Sequence, residues 1–506
     1  MMRYAWFVFV SMPAVLQAAP HYAIIIGNNA VPPQTQEPLR ELRYADDDAV
    51  RFYEFFTRMG ASAVLLTTMD DATQKRYPTL AQQSLPPTLD NLQQTLTAMS
   101  KSLRQDIQQG QQPILYFVFS GHGSRTSKGT PFLALQDGML TQKKLYRNVL
   151  GALPATFSHL IIDACNAGSV VGMRGGKFFA HEASARLVDV HDEVIVGAAD
   201  KLKRFPTVGV LMATSADQQT HEWSHYESGV FTHEVLSALS GAADVNADRN
   251  IEYSEVQAFI SAANRDIVDP RAIPTIIARA PTQDRSIPLV SLNTMHQPFQ
   301  LSGDASSLGR FYIELANGQR YLDAHLGPYP ASMYLPPNTK AFVRTEDQEA
   351  EIYGAPNTTY DLSALRLKPR SLDARGSIEA AFRRDLFASA FHPIYYRGFV
   401  DSQGLKSVSF APIFNRTHIH PSPTVRRPWP FWSTALGGGA AVLTSAVLGG
   451  ISLKARSDAQ NTQLQQDAFT ANQRHERYGI AAMAVGVSGL VSLAVSWWLW
   501  DSPPAP

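Results

Sequence analysis

Two short stretches carry residue types suited to nucleophilic chemistry. "FVFSGHG" (Phe117–Gly123) sets His122 between two glycines where an apolar run ends, and "HLIIDACNAG" (His159–Gly168) sets Asp163 and Cys165 where another ends. Cys165 is the only cysteine in the chain, which excludes an intramolecular disulfide framework and any cysteine-built zinc site. An imidazole beside a thiol lowers the thiol pKa and makes it a nucleophile. The flanking glycines allow close backbone approach, so that the amides of Gly123 and Cys165 can hold an oxyanion. Alone, Gly-His-Gly reads as a turn and a single cysteine as an inert buried thiol. Together at two strand ends, they point to catalysis by His122 and Cys165.

A scaffold must bring these strand ends together. "HYAIIIG" (His21–Gly27), "ASAVLLTT" (Ala61–Thr68), "ILYFVF" (Ile114–Phe119), "HLIIDAC" (His159–Cys165), "EVIVGAA" (Glu193–Ala199) and "VGVLMATSA" (Val208–Ala216) read as strands. "LRYADDDAVRFYEFF" (Leu42–Phe56) has helical spacing, with Ala49, Phe52, Phe56 and Met59 on one stripe, and Thr88–Gln109 predicts a second helix. Such alternation predicts an α/β domain with a mostly parallel sheet covered by helices on both faces over residues 20–285. In a parallel sheet, functional groups gather beyond the carboxyl ends of the strands.

The pair "SGHG" and, about forty residues on, "DACNAG" resembles the His and Cys motifs of the caspase-fold cysteine peptidases, most closely the metacaspase-like bacterial branch. The resemblance spans residues 21 to about 268. It implies a caspase-like three-layer α/β/α sandwich and a cysteine endopeptidase acting on protein or peptide substrates. His122 is then general base and acid, Cys165 the nucleophile and Gly123 an oxyanion donor, with no third orienting carboxylate. Asp163 matches one acid of a metacaspase primary pocket. Leu42, Ala45 and Asp48 match the family's Leu-x-x-Ala/Cys-x-x-Asp stretch, making Asp48 the second, and two buried carboxylates favour the guanidinium of an arginine. By a looser match, Ser215 and Asp217 line the same pocket. Asp46 and Asp47 read as a solvated helix start, where acids suit the dipole, and His221, His225 and His233 as surface or helix residues.

"DVNADRNIEYSE" (Asp244–Glu255) has the spacing of an EF-hand loop for Ca2+. Asp244, Asn246 and Asp248 occupy the first, third and fifth positions, Asn250 offers a carbonyl at the seventh, and Glu255 stands at the twelfth. Arg249 replaces the usual glycine at the sixth, which adds strain. Arg174, Lys177 and Arg186 follow the nucleophile between glycines; the stretch reads as a flexible solvated loop, and an Arg/Lys-specific enzyme could also cut itself there.

The remaining sequence bears on location. Lys+Arg and Asp+Glu balance at 44 each in 506 residues, so nothing argues for nucleic acid. Residues 1–19 read as a signal peptide. Residues 290–425 read as a small β-rich domain. Residues 430–453 and 478–500 each read as a transmembrane helix of about 20 residues with tryptophan belts. The basic loop 454–477 between them predicts a cytoplasmic location, leaving the bulk of the chain on the periplasmic side of a bacterial inner membrane. The rival expectation is a catalytically silent, calcium-binding membrane scaffold or sensor.

Overall fold

The run Ala23–Ile26 lacks polar alternation, and a strand of that kind must be covered on both faces. The computed structural model describes residues 19–31, 40–164, 202, 204–214, 222–224, 226–267, 274–369 and 385–410. In it the run forms β1 (His21–Asn28), buried at every residue after His21. Strands β2 (Ser62–Thr67), β3 (Ile114–Gly121), β4 (Phe157–Asp163) and β5 (Val208–Thr214) join β1 in parallel, and β6 (Thr275–Arg279) closes one edge antiparallel. The order is β6-β5-β4-β3-β1-β2. The sheet is therefore mixed, with the parallel body the alternating pattern predicts.

The period of two in each strand sorts side chains into two cores. Ala23, Ile25, Tyr116, Val118, Ile161 and Leu211 face α1 (Ala45–Arg58), α3 (Val230–Ser237) and α4 (Tyr253–Asn264), whose Phe52, Phe56, Val235 and Phe259 share that cluster. On the other face, Ile24, Ile26, Leu115, Phe117, Phe119, Leu160 and Ile162 meet Leu92, Leu96, Met99 and Leu103 of α2 (Leu89–Gln108). Three layers result. The Thr88 hydroxyl starts α2 by accepting from Asn91 N at 3.2 Å.

Helix α1 starts differently, because Tyr44 offers no side-chain cap. Asn29 Oδ1 accepts from Ala45 N at 2.8 Å, and Glu222 Oε1 accepts from Arg43 N and Tyr44 N, each at 2.8 Å. The amino end of α1 is thus held by partners remote in sequence, not by its own cap. Gly27 fixes its distance from the sheet. A Cβ there would lie 2.2 Å from Ala45 O and 2.6 Å from Ala49 Cβ. The bare glycine lets α1 cross directly over the carboxyl end of β1.

Residues after 290 form the strands their turn-punctuated alternation predicts. These are β7 (Phe299–Asp304), β8 (Arg310–Leu315), β9 (Arg320–His325), β10 (Pro330–Leu335), β11 (Thr339–Arg344), β12 (Gln348–Gly354) and β13 (Thr358–Asp361), followed by α5 (Pro393–Gln403). One sheet has the order β10-β7-β13; in the other, β9-β8-β11-β12 ends on the short strand Lys368–Pro369. Their apolar residues Phe299, Phe311, Ile313, Leu322 and Met333 continue the α1/α3/α4 core without a break, and β9 packs on α3. All the described residues belong to one compact unit, Met1–Ala411.

The segment expected to be a signal peptide, all but its last residue, lies outside the described residues. So do 430–453, 478–500, the loop 454–477 and the expected strand Glu193–Ala199. Among the described residues, no helix is long and apolar enough to cross a membrane.

Replacing Gly27 by alanine forces a methyl group into the backbone of α1, and overpacking of this kind costs about 1–3 kcal/mol. Urea unfolding of Gly27→Ala should show that loss. An unchanged midpoint would mean that α1 is not seated on β1 as described.

Candidate active site

Strands β3 and β4 are parallel neighbours, with Phe119 level with Ile162 and Ser120 level with Asp163. The two motifs therefore leave the same edge of the sheet from adjacent strands, as expected. Two residues further along the sequence from Ser120 comes His122, and two from Asp163 comes Cys165. His122 is described; Cys165, Ser215 and Asp217 lie outside the described residues.

His122 is buried. Beyond it the chain enters a small antiparallel sheet of Gly123–Arg125, Pro131–Ala134 and Met139–Thr141, in which Gly123 lies opposite Leu133. Gly123 is thus the first residue of a strand, not part of an open turn. The His122 carbonyl accepts from Ala134 N at 2.9 Å. The backbone of Arg40 hydrogen-bonds the ring, while Nε2 has no hydrogen-bond partner. Nδ1 is accordingly the engaged nitrogen. Burial pushes the imidazole below its usual 6.5, against the Arg40 bond. The outcome is a neutral imidazole, pinned on one side, with the other nitrogen available to take a proton.

The two expected acids do come together. On β4, Asp163 follows Ile161 by two residues and so faces α1 and α3. Thr232 Oγ1 in the first turn of α3 donates to Asp163 Oδ2 at 2.8 Å. Asp48, in the first turn of α1, accepts from Ser120 Oγ at 2.8 Å, from Ser228 Oγ, and from Gly229 N at 3.2 and 3.3 Å. Between the carboxylates stands Gly229, where a Cβ would lie 2.7 Å from Asp163 Oδ2 and 3.1 Å from Asp48 Oδ2. Burial, then the charge of Asp163, holds Asp48 well above the usual carboxylate range, against the Ser228 hydrogen bond and Arg51. Burial also pushes Asp163 up to about 6, opposed by Thr232 and assisted by Glu222. Two carboxylates buried this close to one small volume resist ionising together.

Ser120, Ser228 and Thr232 were not singled out from sequence as partners of the acids. A signal existed for Ser120, since strand alternation puts it on the face of Tyr116 and Val118, over which α1 lies. Ser228 and Thr232 reach the acids only through the packing of α3.

Two readings are corrected. Asp46 and Asp47 are buried, not a solvated helix start. Asp46 accepts from Asn29 Nδ2 at 2.7 Å and from Asp70 N at 2.8 Å, and Asp47 pairs with Arg76 at 3.3 Å, so the segment after β2 folds over them. Burial raises both carboxyls, Asp47 to about 7. His233 lies in a helix, α3, but is fully buried. Its Nδ1 meets Arg51 Nη2 at 2.9 Å and its Nε2 meets Asp323 Oδ2 of β9 at 2.8 Å. His221 and His225 lie outside the described residues.

The loop Asp244–Glu255 lies between α3 and α4, as its pattern predicts. Arg249 adopts φ 66°, the left-handed turn that a glycine would take more easily. Asp244 accepts from Asp248 N at 3.1 Å and Arg249 N at 3.0 Å; Asn246 Oδ1 accepts from Asp248 N at 3.2 Å; Asp248 Oδ1 accepts from Asn250 N at 2.7 Å. Glu255 turns to Val245 N and Glu252 N at 3.2 and 3.0 Å. Among the described residues, no three His, Cys, Asp or Glu side chains converge as a metal cluster. The donors are nevertheless hard oxygens of the kind calcium takes. Burial holds Asp244 up to about 7 and Glu255 well above its usual range, each further raised by neighbouring carboxylates.

The caspase domain family matches residues 20–300, more than half of the chain. No curated protein matches it. Among solved structures, protein GSU0716 from Geobacter sulfurreducens is 18% identical, with 54% of this chain and 99% of that one covered and a TM-score of 0.32. Caspase-1 from Spodoptera frugiperda is 13% identical, with 53% and 94% covered and a TM-score of 0.28.

The raised pKa of Asp163 has a definite sign. Unfolded, the group titrates near 3.8; folded, near 6. Between those values the folded chain holds the extra proton, so stability falls as pH rises through the window and the loss is complete above about 6. Asp163→Asn should therefore unfold at higher urea than the natural chain at about pH 7.5, by about 1–3 kcal/mol, and match it at about pH 4. A variant less stable at the higher pH would contradict this account of the acid pair.

Proposed function

We propose, from the premise that this chain belongs to the caspase domain family of cysteine peptidases, that it is an endopeptidase of the metacaspase-like kind, cleaving after arginine or lysine. The observation that carries the reading is the buried pair Asp48 and Asp163 around Gly229, beside the strand end that delivers His122 with its free Nε2. A guanidinium or ammonium entering the pair would favour the ionised form of both carboxyls, through charge-assisted hydrogen bonds. An acidic side chain would meet only repulsion there.

In this mechanism Cys165 Sγ attacks the scissile carbonyl carbon, and its proton passes to His122 Nε2. The tetrahedral oxyanion is held by backbone amides, with Gly123 N and Cys165 N as the donors. His122 then gives the proton to the leaving amine as the C–N bond breaks, leaving a thioester on Cys165. Water, deprotonated by the same imidazole, hydrolyses the thioester and regenerates the thiol. The lowered pKa of His122 suits this role, because the ring is neutral when it must accept a proton. Ser215 and Asp217 would line the same pocket. Cleavage within the Arg174–Arg186 stretch would make the enzyme self-processing.

Calcium belongs to the same proposal. Asp244, Asn246, Asp248 and Glu255 with the Asn250 carbonyl would hold it, offsetting the burial and the neighbouring charge that raise Asp244 and Glu255, and it would brace the junction of α3 and α4. The apolar segments 430–453 and 478–500 would anchor the enzyme in an inner membrane, with the catalytic part facing the periplasm.

Hydrolysis of Arg- and Lys-containing fluorogenic peptides by the full chain tests the reading. Activity should fall by at least about 10³-fold in Cys165→Ala and in His122→Ala, and acidic peptides should not be cut. Failure of the natural chain to cut any basic peptide, with or without calcium, overturns it. Modification of Cys165 by iodoacetamide near neutral pH should be fast and should slow in His122→Ala, because the imidazole takes the thiol proton; an inert thiol would favour the silent scaffold. Calorimetric titration with calcium should give heat that Asp244→Ala abolishes, and no heat from the natural chain would remove calcium from the account.

A further inference from the structure

We infer that Asp323, on β9 of the β-rich segment, is a positioning residue for the cation pocket, setting the spacing of Asp48 and Asp163 through His233 and Arg51. The inference rests on the pocket reading above and extends it to a part of the chain that carries no catalytic motif.

Both acids are tied to the amino end of α3. Asp48 accepts from Ser228 and Gly229, which immediately precede α3, and Asp163 accepts from Thr232 in its first turn. The next residue is His233. Three residues after Asp48 on α1 comes Arg51, on the same side of that helix. Arg51 Nη2 donates to His233 Nδ1 at 2.9 Å, so α1 and α3 are joined a second time, one turn deeper than the acids.

Asp323 closes this link from outside both helices. Arg51 occupies Nδ1 as the donor, so the proton of His233 resides on Nε2 and is donated to Asp323 Oδ2 at 2.8 Å. Arg320 Nε reaches the same oxygen at 2.6 Å and its Nη2 reaches Asp323 Oδ1. The Asp323 amide also donates to Ser237 Oγ in the last turn of α3, at 3.1 Å. Arg51 meanwhile donates to the carbonyls of Arg320 and Tyr321, at 3.2 and 3.4 Å. The Tyr226 ring stacks on His233 at 3.8 Å, so the imidazole has one seat. Asp323 and His233 are both fully buried.

The consequence for the pocket is geometric. Asp48 rides on α1, and α3 holds the donors for both acids. Their separation therefore follows the relative placement of the two helices, which the Arg51–His233–Asp323 chain fixes. A guanidinium held between two carboxylates requires their oxygens to be placed within a fraction of an ångström. Asp323 touches no substrate; it acts through His233.

The test uses the full chain and Asp323→Asn, which keeps the shape and one acceptor for His233 but loses the charge that grips Arg320. Benzamidine is the probe of the pocket. Its Kd should weaken about tenfold, and KM for an arginine peptide should rise by a similar factor. Both kcat and the rate of Cys165 alkylation by iodoacetamide should stay within about twofold. Unchanged Kd and KM would overturn the inference. A parallel fall in kcat and in alkylation would also overturn it, by showing a general structural role. Failure of the natural chain to bind benzamidine or cut the peptide would sink the pocket reading itself, a result distinct from binding that Asp323→Asn leaves intact. If Asp323→Asn does not fold, Arg320→Lys keeps the charge without the bidentate grip and should raise KM about threefold with kcat preserved; an unchanged KM overturns the inference equally.

Discussion

Two carboxylates taken out of water to face one small volume are the interaction around which the rest of this fold is arranged. Moving an ion into a protein interior costs several kcal/mol even after relaxation. Asp48 and Asp163 lie at the same buried point, on either side of Gly229. The cost is partly offset by donors drawn from the end of β3, the segment before α3 and its first turn. Each donor is useful only if its element ends at the right level. The parallel register that sets Ser120 opposite Asp163 and the contact of Gly27 with Ala45 are therefore part of the electrostatics, not only of the packing.

Helix α1 is where these demands meet. Its amino end is satisfied by Asn29 and Glu222, its first turn carries three consecutive buried acids, and the positive end of the helix favours them there. Asp46 and Asp47 are committed to Asn29, Asp70 and Arg76. That leaves Asp48, of the three, to face Asp163.

What was legible in the sequence follows the range of the forces involved. Strands β1, β3 and β4 and helices α1 and α2 were legible because apolar run length and a 3.6-residue stripe are local properties. The meeting of the two motifs at one sheet edge followed from the parallel alternation. The two acids were legible from the resemblance of their motifs, but their partners were not, since Ser228 and Thr232 reach them across most of the domain. The burial of Asp46 and Asp47 was misread for the same reason, since Asp70 and Arg76 decide it; that His233 is buried within its helix, against Arg51 and Asp323, is likewise not fixed by nearby sequence. The strands after residue 290 announced themselves by turn residues and alternation, whereas the continuity of their core with α1, α3 and α4 depends on tertiary contact alone.

The buried group of Arg51, His233, Arg320 and Asp323 also bears on how such a chain can change over time. Removing one partner of a buried ion pair strands the other and costs about 3–5 kcal/mol, a large part of the stability of a typical domain. A substitution that strands a charge at one of the four positions therefore costs more on the natural background than on one already altered at its partner. The effects of such substitutions are coupled rather than additive. Because Arg51 and His233 precede residue 290 and Arg320 and Asp323 follow it, recombination at that boundary would separate the members of the set. The β-rich segment is in this sense inherited with the helices it touches, and a chimera joining it to an unrelated relative of the first half would begin with an orphaned charge in its core.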